Sequence, residues 1–150
     1  MTEWHKWAEP PALRPDWDER FTAWLEEEGS KPHDWEGNHC LLHVAGAIEA
    51  QTGRDFAKGR RRKFKSAAGS KRYLSELGFK SVAALLDSIL DPVDVAFAQR
   101  GDIALAHDGA GVVIGGEALI LVHGHDAPVR VPRSDWKKAW AVGRRTEAGA

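Results

Sequence analysis

The sequence predicts an α+β domain, with helices first and an antiparallel sheet after them. Up to about residue 90, apolar side chains recur at helical spacing: Trp17, Phe21, Trp24 and Leu25 fall at i, i+4, i+7 and i+8. After Arg100-Gly101-Asp102 the period changes to two, in the short runs IALA, GVVIG, ALILV and PVRVP separated by Gly or Asp-Gly turns. A chain of 150 residues with 43% hydrophobic residues can bury one core, and its single cysteine excludes an internal disulfide framework.

Residues 1–16 are expected to form an N-terminal arm, because Pro10, Pro11 and Pro15 prevent a continuous helix there. Trp4 and Trp7 lie in this arm, either folded back on the domain or anchored on a neighbouring protein. The domain itself is expected over 17–143. Its first helix starts at Asp16, keeps acids on its outer face and stops at Gly29. A second helix is expected from about His39 to Thr52, with Asn38 as N-cap and Gly53 as terminator. Cys40, Val44 and Ile48 share one of its faces, and Gly46 allows another element to approach closely. KRYLSELGF predicts a short helix ending at Gly78, and SVAALLDSIL another, closed by Asp91-Pro92.

Arg100-Gly101-Asp102 reads as a turn feeding a strand, not as an adhesion tripeptide. Gly101 permits the turn and Asp102 caps local N–H groups. Beyond the four strand runs, SDWKKAW predicts a helical turn and AWAV a closing strand. Residues 144–150 are expected to be a loose tail.

The net charge is −1, from 21 basic and 22 acidic residues, so no global field draws the chain to nucleic acid or to an acidic membrane. The start MTEWHKWAEPPALRPDWDER lacks a signal-peptide apolar segment, and no run reaches bilayer-spanning length. Synthesis in the cytoplasm, or carriage in a particle assembled there, is the expectation. Six of the eight residues in KGRRRKFK (58–65) are Lys or Arg. Acids elsewhere cancel this run and no aromatic ladder accompanies it. Arg60, Arg61, Arg62 and Lys63 are therefore read as a solvated loop or protein-contact patch rather than a nucleic-acid site.

Asp34–Gly53, DWEGNHCLLHVAGAIEAQTG, carries the chemistry: a polar turn, Cys40 at the mouth of a helix, and a glycine stop. A helix N-terminus favours a thiolate, and its free N–H groups can stabilise an oxyanion. A cysteine hydrolase also needs a base within about 3 Å and a group that orients that base. His39 is adjacent in sequence but cannot face Cys40 along a helix, whereas His43, at i+3, can reach it. On the strand side His107 is the candidate base, provided that the loop HDGAG folds it back over Cys40. His123 or His125 would then orient it. Neither His39, Cys40 and His43 nor His123-x-His125 has a zinc-finger spacing, so no metal and no cofactor is expected.

The ordered motifs resemble a domain family of phage and prophage genomes, usually encoded among tail genes. The matches are Trp35 with Cys40, Thr52-Gly53-Arg54-Asp55, Arg62-Lys63-Phe64, Arg100-Gly101-Asp102, Gly111 to Gly115, and Ala139-Trp140-Ala141-Val142. More distantly, Cys40 at a helix start followed by Gly101-Asp102-Ile103 is similar to the NlpC-type papain-like peptidoglycan hydrolases. In that alignment Gly109 stands where the family's catalytic histidine opens the next strand. His39 replaces the usual Asp before the cysteine, and Glu36 the Gly after Trp35.

The resemblance implies a papain-like α+β fold of NlpC type. It also implies a structural or assembly role in a phage or phage-like tail, at or near the tail tip, as a degenerate relative of cell-wall cysteine peptidases. The expected partners are other tail proteins and, through the old cleft, bacterial peptidoglycan; the expected location is the virion. Two alternatives stand beside it. One is an active cysteine endopeptidase or amidase with Cys40 as nucleophile and His107 as base. The other is a module that binds cell-wall peptides without cleaving them.

Overall fold

A computed structural model describes residues 11–29, 31–34, 39–58, 65–107, 109–144 and 146. Among them four helices come first: α1 (Trp17–Glu28), α2 (Cys40–Thr52), α3 (Ala67–Glu76) and α4 (Val82–Ile89). Six strands follow: β1 (Asp91–Val93), β2 (Ile103–Ala106), β3 (Gly109–Val113), β4 (Glu117–Ile120), β5 (Val129–Pro132) and β6 (Lys138–Ala141). They form one antiparallel sheet in the order β1-β6-β2-β3-β4-β5. The expected α+β class is what the chain adopts.

The sheet separates two cores by simple alternation along its strands. Ile103 of β2, Ala110 and Val112 of β3 and Trp140 of β6 face the helices. There they meet Phe21, Val44, Ile48, Leu85, Leu86 and Ile89. Ala104, Ala106, Val113, Ala118, Ile120 and Ala139 face the other way, onto Ala98 and Trp136. The second core is closed by Arg133, whose Nη1 donates to the Val95 and Ala98 carbonyls and whose Nη2 donates to that of Gly115. Its guanidinium also lies 4.5 Å from the Trp136 ring.

Several helix ends are as expected, and others differ for identifiable reasons. Gly53 ends α2 in a left-handed conformation, φ 81°, its N–H donating to the Glu49 carbonyl. Gly46 lets Trp24 of α1 lie directly over α2; a Cβ there would sit 2.7 Å from the indole Nε1. Gly29 closes α1, but in a right-handed conformation. The N-cap of α2 is His39, without a side-chain cap bond, so Cys40 is the first helical residue. Asn38 lies outside the described residues. α3 starts at Ala67, before the expected Lys71, because the Ser66 hydroxyl accepts the Gly69 N–H.

In place of a helical SDWKKAW there is only a short 3-10 turn at Arg133–Asp135, and Lys138–Ala141 is strand. Pairing with both β1 and β2 overrides the local helical pattern there. β1 was not among the expected strands. It is an edge strand of three residues that exists through its partner β6, and Pro92 is tolerated at such an edge.

Contacts also cross the expected boundaries at 16/17 and 143/144. Leu13 packs on the main core, and the Arg14 N–H donates to the Gln51 carbonyl. Thr146 is bound through its N–H to Asp91 Oδ2 and through its hydroxyl to the Pro92 carbonyl. Arg144 is not loose either: Nη1 and Nη2 reach Asp102 Oδ1 and Oδ2, each at 2.7 Å. The polar groups of β1 and of buried Asp102 need partners, and these residues supply them.

Arg100-Gly101-Asp102 is the junction of the domain. Arg100 donates to Asp18 and Thr22 of α1 and stacks 5.0 Å from the Phe21 ring. Gly101, at φ 91°, accepts a 2.8 Å bond from Gln51 Nε2 of α2, and a Cβ there would stand 2.2 Å from Gln51 Oε1. Asp102 is buried and accepts the Gln99 and Val142 N–H groups as well as both Arg144 donors.

Removing one member of a buried, hydrogen-bonded ion pair costs about 3–5 kcal/mol, whereas an exposed pair is worth about 1 kcal/mol or less. Asp102→Ala is therefore expected to lower the unfolding free energy by about 3 kcal/mol or more. Arg100→Ala, whose partner Asp18 is mostly exposed, should cost clearly less. Urea titration checks the ranking, and equal losses would remove Asp102 from its central place.

Candidate functional site

α2 carries the chemistry, and it is fixed at both ends. At its C-terminal end the buried Gln51 side chain donates to the Ala47 carbonyl of its own helix and to the Gly101 carbonyl at the start of β2. Its N-terminal end lies against β3. A Cβ built on Gly109 would stand 4.0 Å from Cys40 Cβ, and 3.9 Å from Ile120 Cγ2 on β4. The residue across from the cysteine is thus Gly109. Its φ of 140° is one that side-chain-bearing residues rarely adopt.

Cys40 is half-buried as a residue. Burial pushes its thiol above the ordinary value, while the backbone of Ala110, of Leu41 and of Cys40 itself acts in the opposite direction. The helix start and the facing strand therefore do offer the thiolate some stabilisation, but burial outweighs it. At neutral pH the group is a protonated thiol.

The histidines are dispersed. β2 and β3 form a tight hairpin with Ala106 opposite Gly109, and His107 is exposed at its tip. His123 is exposed in the loop after β4, its ring 5.3 Å from that of His33 in an edge-to-face arrangement. Burial, and then the charge of His123, hold His33 below its ordinary value, with Asp34 opposing. His125 is exposed in the same loop. His39 is buried at the N-cap of α2. Among the described residues no three His, Cys, Asp or Glu side chains are grouped as a metal ion would require.

His43 is the residue whose setting the sequence concealed. It is 2% exposed, its ring 5.0 Å from that of Trp24. Neither ring nitrogen completes a hydrogen bond, although the nearby Leu119 backbone and the Glu28 charge favour protonation. Burial dominates and lowers the His43 pKa from 6.5 to about 4. It is consequently neutral at pH 7 and cannot serve Cys40 as an imidazolium partner. Helical spacing places His43 and Cys40 near each other, but burial of the intervening groups is a tertiary property.

Trp4, Trp7, Arg60, Arg61, Arg62 and Lys63 lie outside the described residues. Among the described residues no helix is long and apolar enough to cross a membrane. No curated protein and no solved structure matches the chain. Residues 13–142 match the Domain of unknown function (DUF6950), and the chain belongs to that family.

A histidine held neutral by the fold makes stability depend on pH with a definite sign. The unfolded chain takes up a proton near pH 6.5 and the folded one only near 4. Stability from this source is complete above the higher value and lost as pH falls through the window. The loss should reach about 3 kcal/mol at pH 4. Urea denaturation of wild type and His43→Phe at pH 7 and pH 4 checks this. The variant should lose that part of the pH dependence, and parallel curves would contradict the assignment.

Proposed function

We propose that this member of the family is a structural or assembly component of a phage or phage-like tail, near its distal end. In this reading it is built on a papain-like, NlpC-type layout and keeps the nucleophile position without the catalysis. The observation that supports the loss of catalysis is the pairing of Cys40 with Gly109. The position that faces the thiol has no side chain, and burial holds the thiol protonated. Nucleophilic catalysis needs a base in contact with the thiol to make the thiolate. His43 is too weak a base to hold a proton at neutral pH, and His107 points from a hairpin tip into solvent. The tail assignment is supported by the ordered motif resemblance, and the Trp4–Trp7 arm and the 58–65 basic run are its proposed contact surfaces.

A second reading, an active cysteine peptidoglycan hydrolase, is favoured by one feature. Cys40 is the first residue of α2 and has the Ala110 backbone beside it. In that reading His107 swings over Cys40, with His123 behind it.

Alkylation of Cys40 by iodoacetamide, followed from about pH 5 to about pH 10, separates the two. A non-catalytic thiol should show one inflection above about 8.5, whereas an inflection below about 7 would establish an activated thiolate. Zymography on peptidoglycan should show no clearing by either wild type or Cys40→Ala; clearing by wild type alone would reverse the conclusion. Mass spectrometry of purified tails tests the assembly role. The chain should be present in fixed amount, and its absence from every preparation would sink that role.

A further inference from the structure

The charges of this chain are segregated along it. Residues 58–80 hold nine of the 21 basic residues and only one of the 22 acids, Glu76. That segment carries +8, and the rest of the chain, twelve basic residues against twenty-one acids, carries −9. Two of the helices display this division on their solvent sides.

α3 lies in the basic segment. Leu74 is buried and Tyr73 half-buried, so one side of the helix meets the core. The 3.6-residue period puts Ala68, Lys71, Arg72 and Ser75 on the opposite side, and all four are exposed. Lys65 before the helix and Lys80 after it are exposed as well. α1 presents the opposite charge in the same form. Phe21, Trp17, Trp24 and Leu25 take its core side. Glu19, Ala23, Glu26 and Glu27, at i, i+4, i+7 and i+8, are all exposed on the other. The acids around them are engaged: Asp16 with Arg20, Asp18 with Arg100 and Glu28 with Lys31. Neither the three glutamates nor the four cations at α3 make an ion pair among the described residues. The two faces also match in relief. Ala23 on one, and Ala68 and Ser75 on the other, leave room for close approach between the long charged side chains.

We propose that the outer face of α3 binds the outer face of α1 in a second copy of this chain. Lys71 and Arg72 pair there with Glu19, Glu26 and Glu27. A single exposed ion pair contributes little, so the contact uses several at once. Charge complementarity selects this occupant. Nucleic acid would meet the same cations, but also the −9 of the remaining chain. Between two copies the net charge of −1 gives no comparable repulsion. Because the two faces differ, one copy can engage two neighbours, which generates a ring or a filament. This contact is independent of Cys40 and of the tail assignment.

Sedimentation velocity of the full chain at about 25 mM and about 500 mM NaCl tests it, since the screening length falls from about 20 Å to about 4 Å. Oligomers should form at low salt with a dissociation constant of about 100 μM or tighter, weakened at least about tenfold at high salt. Two variants on exposed positions, Glu19→Gln/Glu26→Gln/Glu27→Gln and Lys71→Gln/Arg72→Gln, should each be monomeric alone. Mixed, they should form a dimer of one copy of each, because each keeps the face that the other lacks. Lys137→Gln/Lys138→Gln, with the same change in charge as the α3 variant, should associate like wild type. A chain that stays monomeric at low salt would overturn the proposal, as would a loss that mixing does not restore. Duplex DNA bound by a monomer through Lys71 and Arg72 would overturn it too, and assign the α3 face to nucleic acid.

Discussion

The fold depends on the buried carboxylate of Asp102. Asp102 receives four hydrogen bonds: two from the Arg144 guanidinium and one each from the Gln99 and Val142 N–H groups. A charge taken out of water is tolerated only when paired and fully bonded. Here that requirement fastens the chain after β6 to the turn before β2. The two residues before Asp102 extend the same junction to the helices: Arg100 reaches α1 and Gly101 reaches α2 through Gln51. Three adjacent residues thereby relate the helical layer, the sheet and the C-terminal segment to one another.

This junction explains why the cysteine faces where it does. α2 is held at one end by Gln51 against the start of β2, and β2 continues through a tight hairpin into β3. The other end of the helix must then lie over the start of β3, where Gly109 is. The close approach of β3 and β4 has its own steric condition, since a Cβ on Gly111 would stand 2.0 Å from the Leu119 carbonyl oxygen. The distance between Cys40 and its opposite residue is thus a property of the framework. The chemistry at that point is a matter of which side chain, if any, the framework presents.

Much of this was legible in the residues and some was not, for physical reasons. The helical period of Trp17, Phe21 and Trp24, the glycine stop at Gly53 and the period-two runs after Asp102 are local signals, and they map onto α1, α2 and β2–β5. Gly109 as the counterpart of Cys40 was legible only through the family resemblance, in which it stands where the catalytic histidine is expected. What could not be read depends on distant partners. β1 is strand because β6 pairs with it, and Arg144 is ordered because Asp102 is buried. His43 reads as any other helix histidine, and its neutral state follows from its burial in the folded chain.

The strand order carries a consequence for how the chain reaches this state. β6, the last strand in sequence, lies between the first two, β1 and β2, and these share no pairing without it. Asp91 meets Ala141 across forty-nine intervening positions, so closing the sheet is a high-contact-order step whose entropy cost comes before any bond offsets it. The helices and the β2–β5 meander can form while a ribosome is still delivering the remainder. During that interval β1 and one side of β2 present unpaired edges, a template for association with other nascent chains. The pairing of β6, more than the stability of any other finished contact, sets the moment at which these two edges are covered.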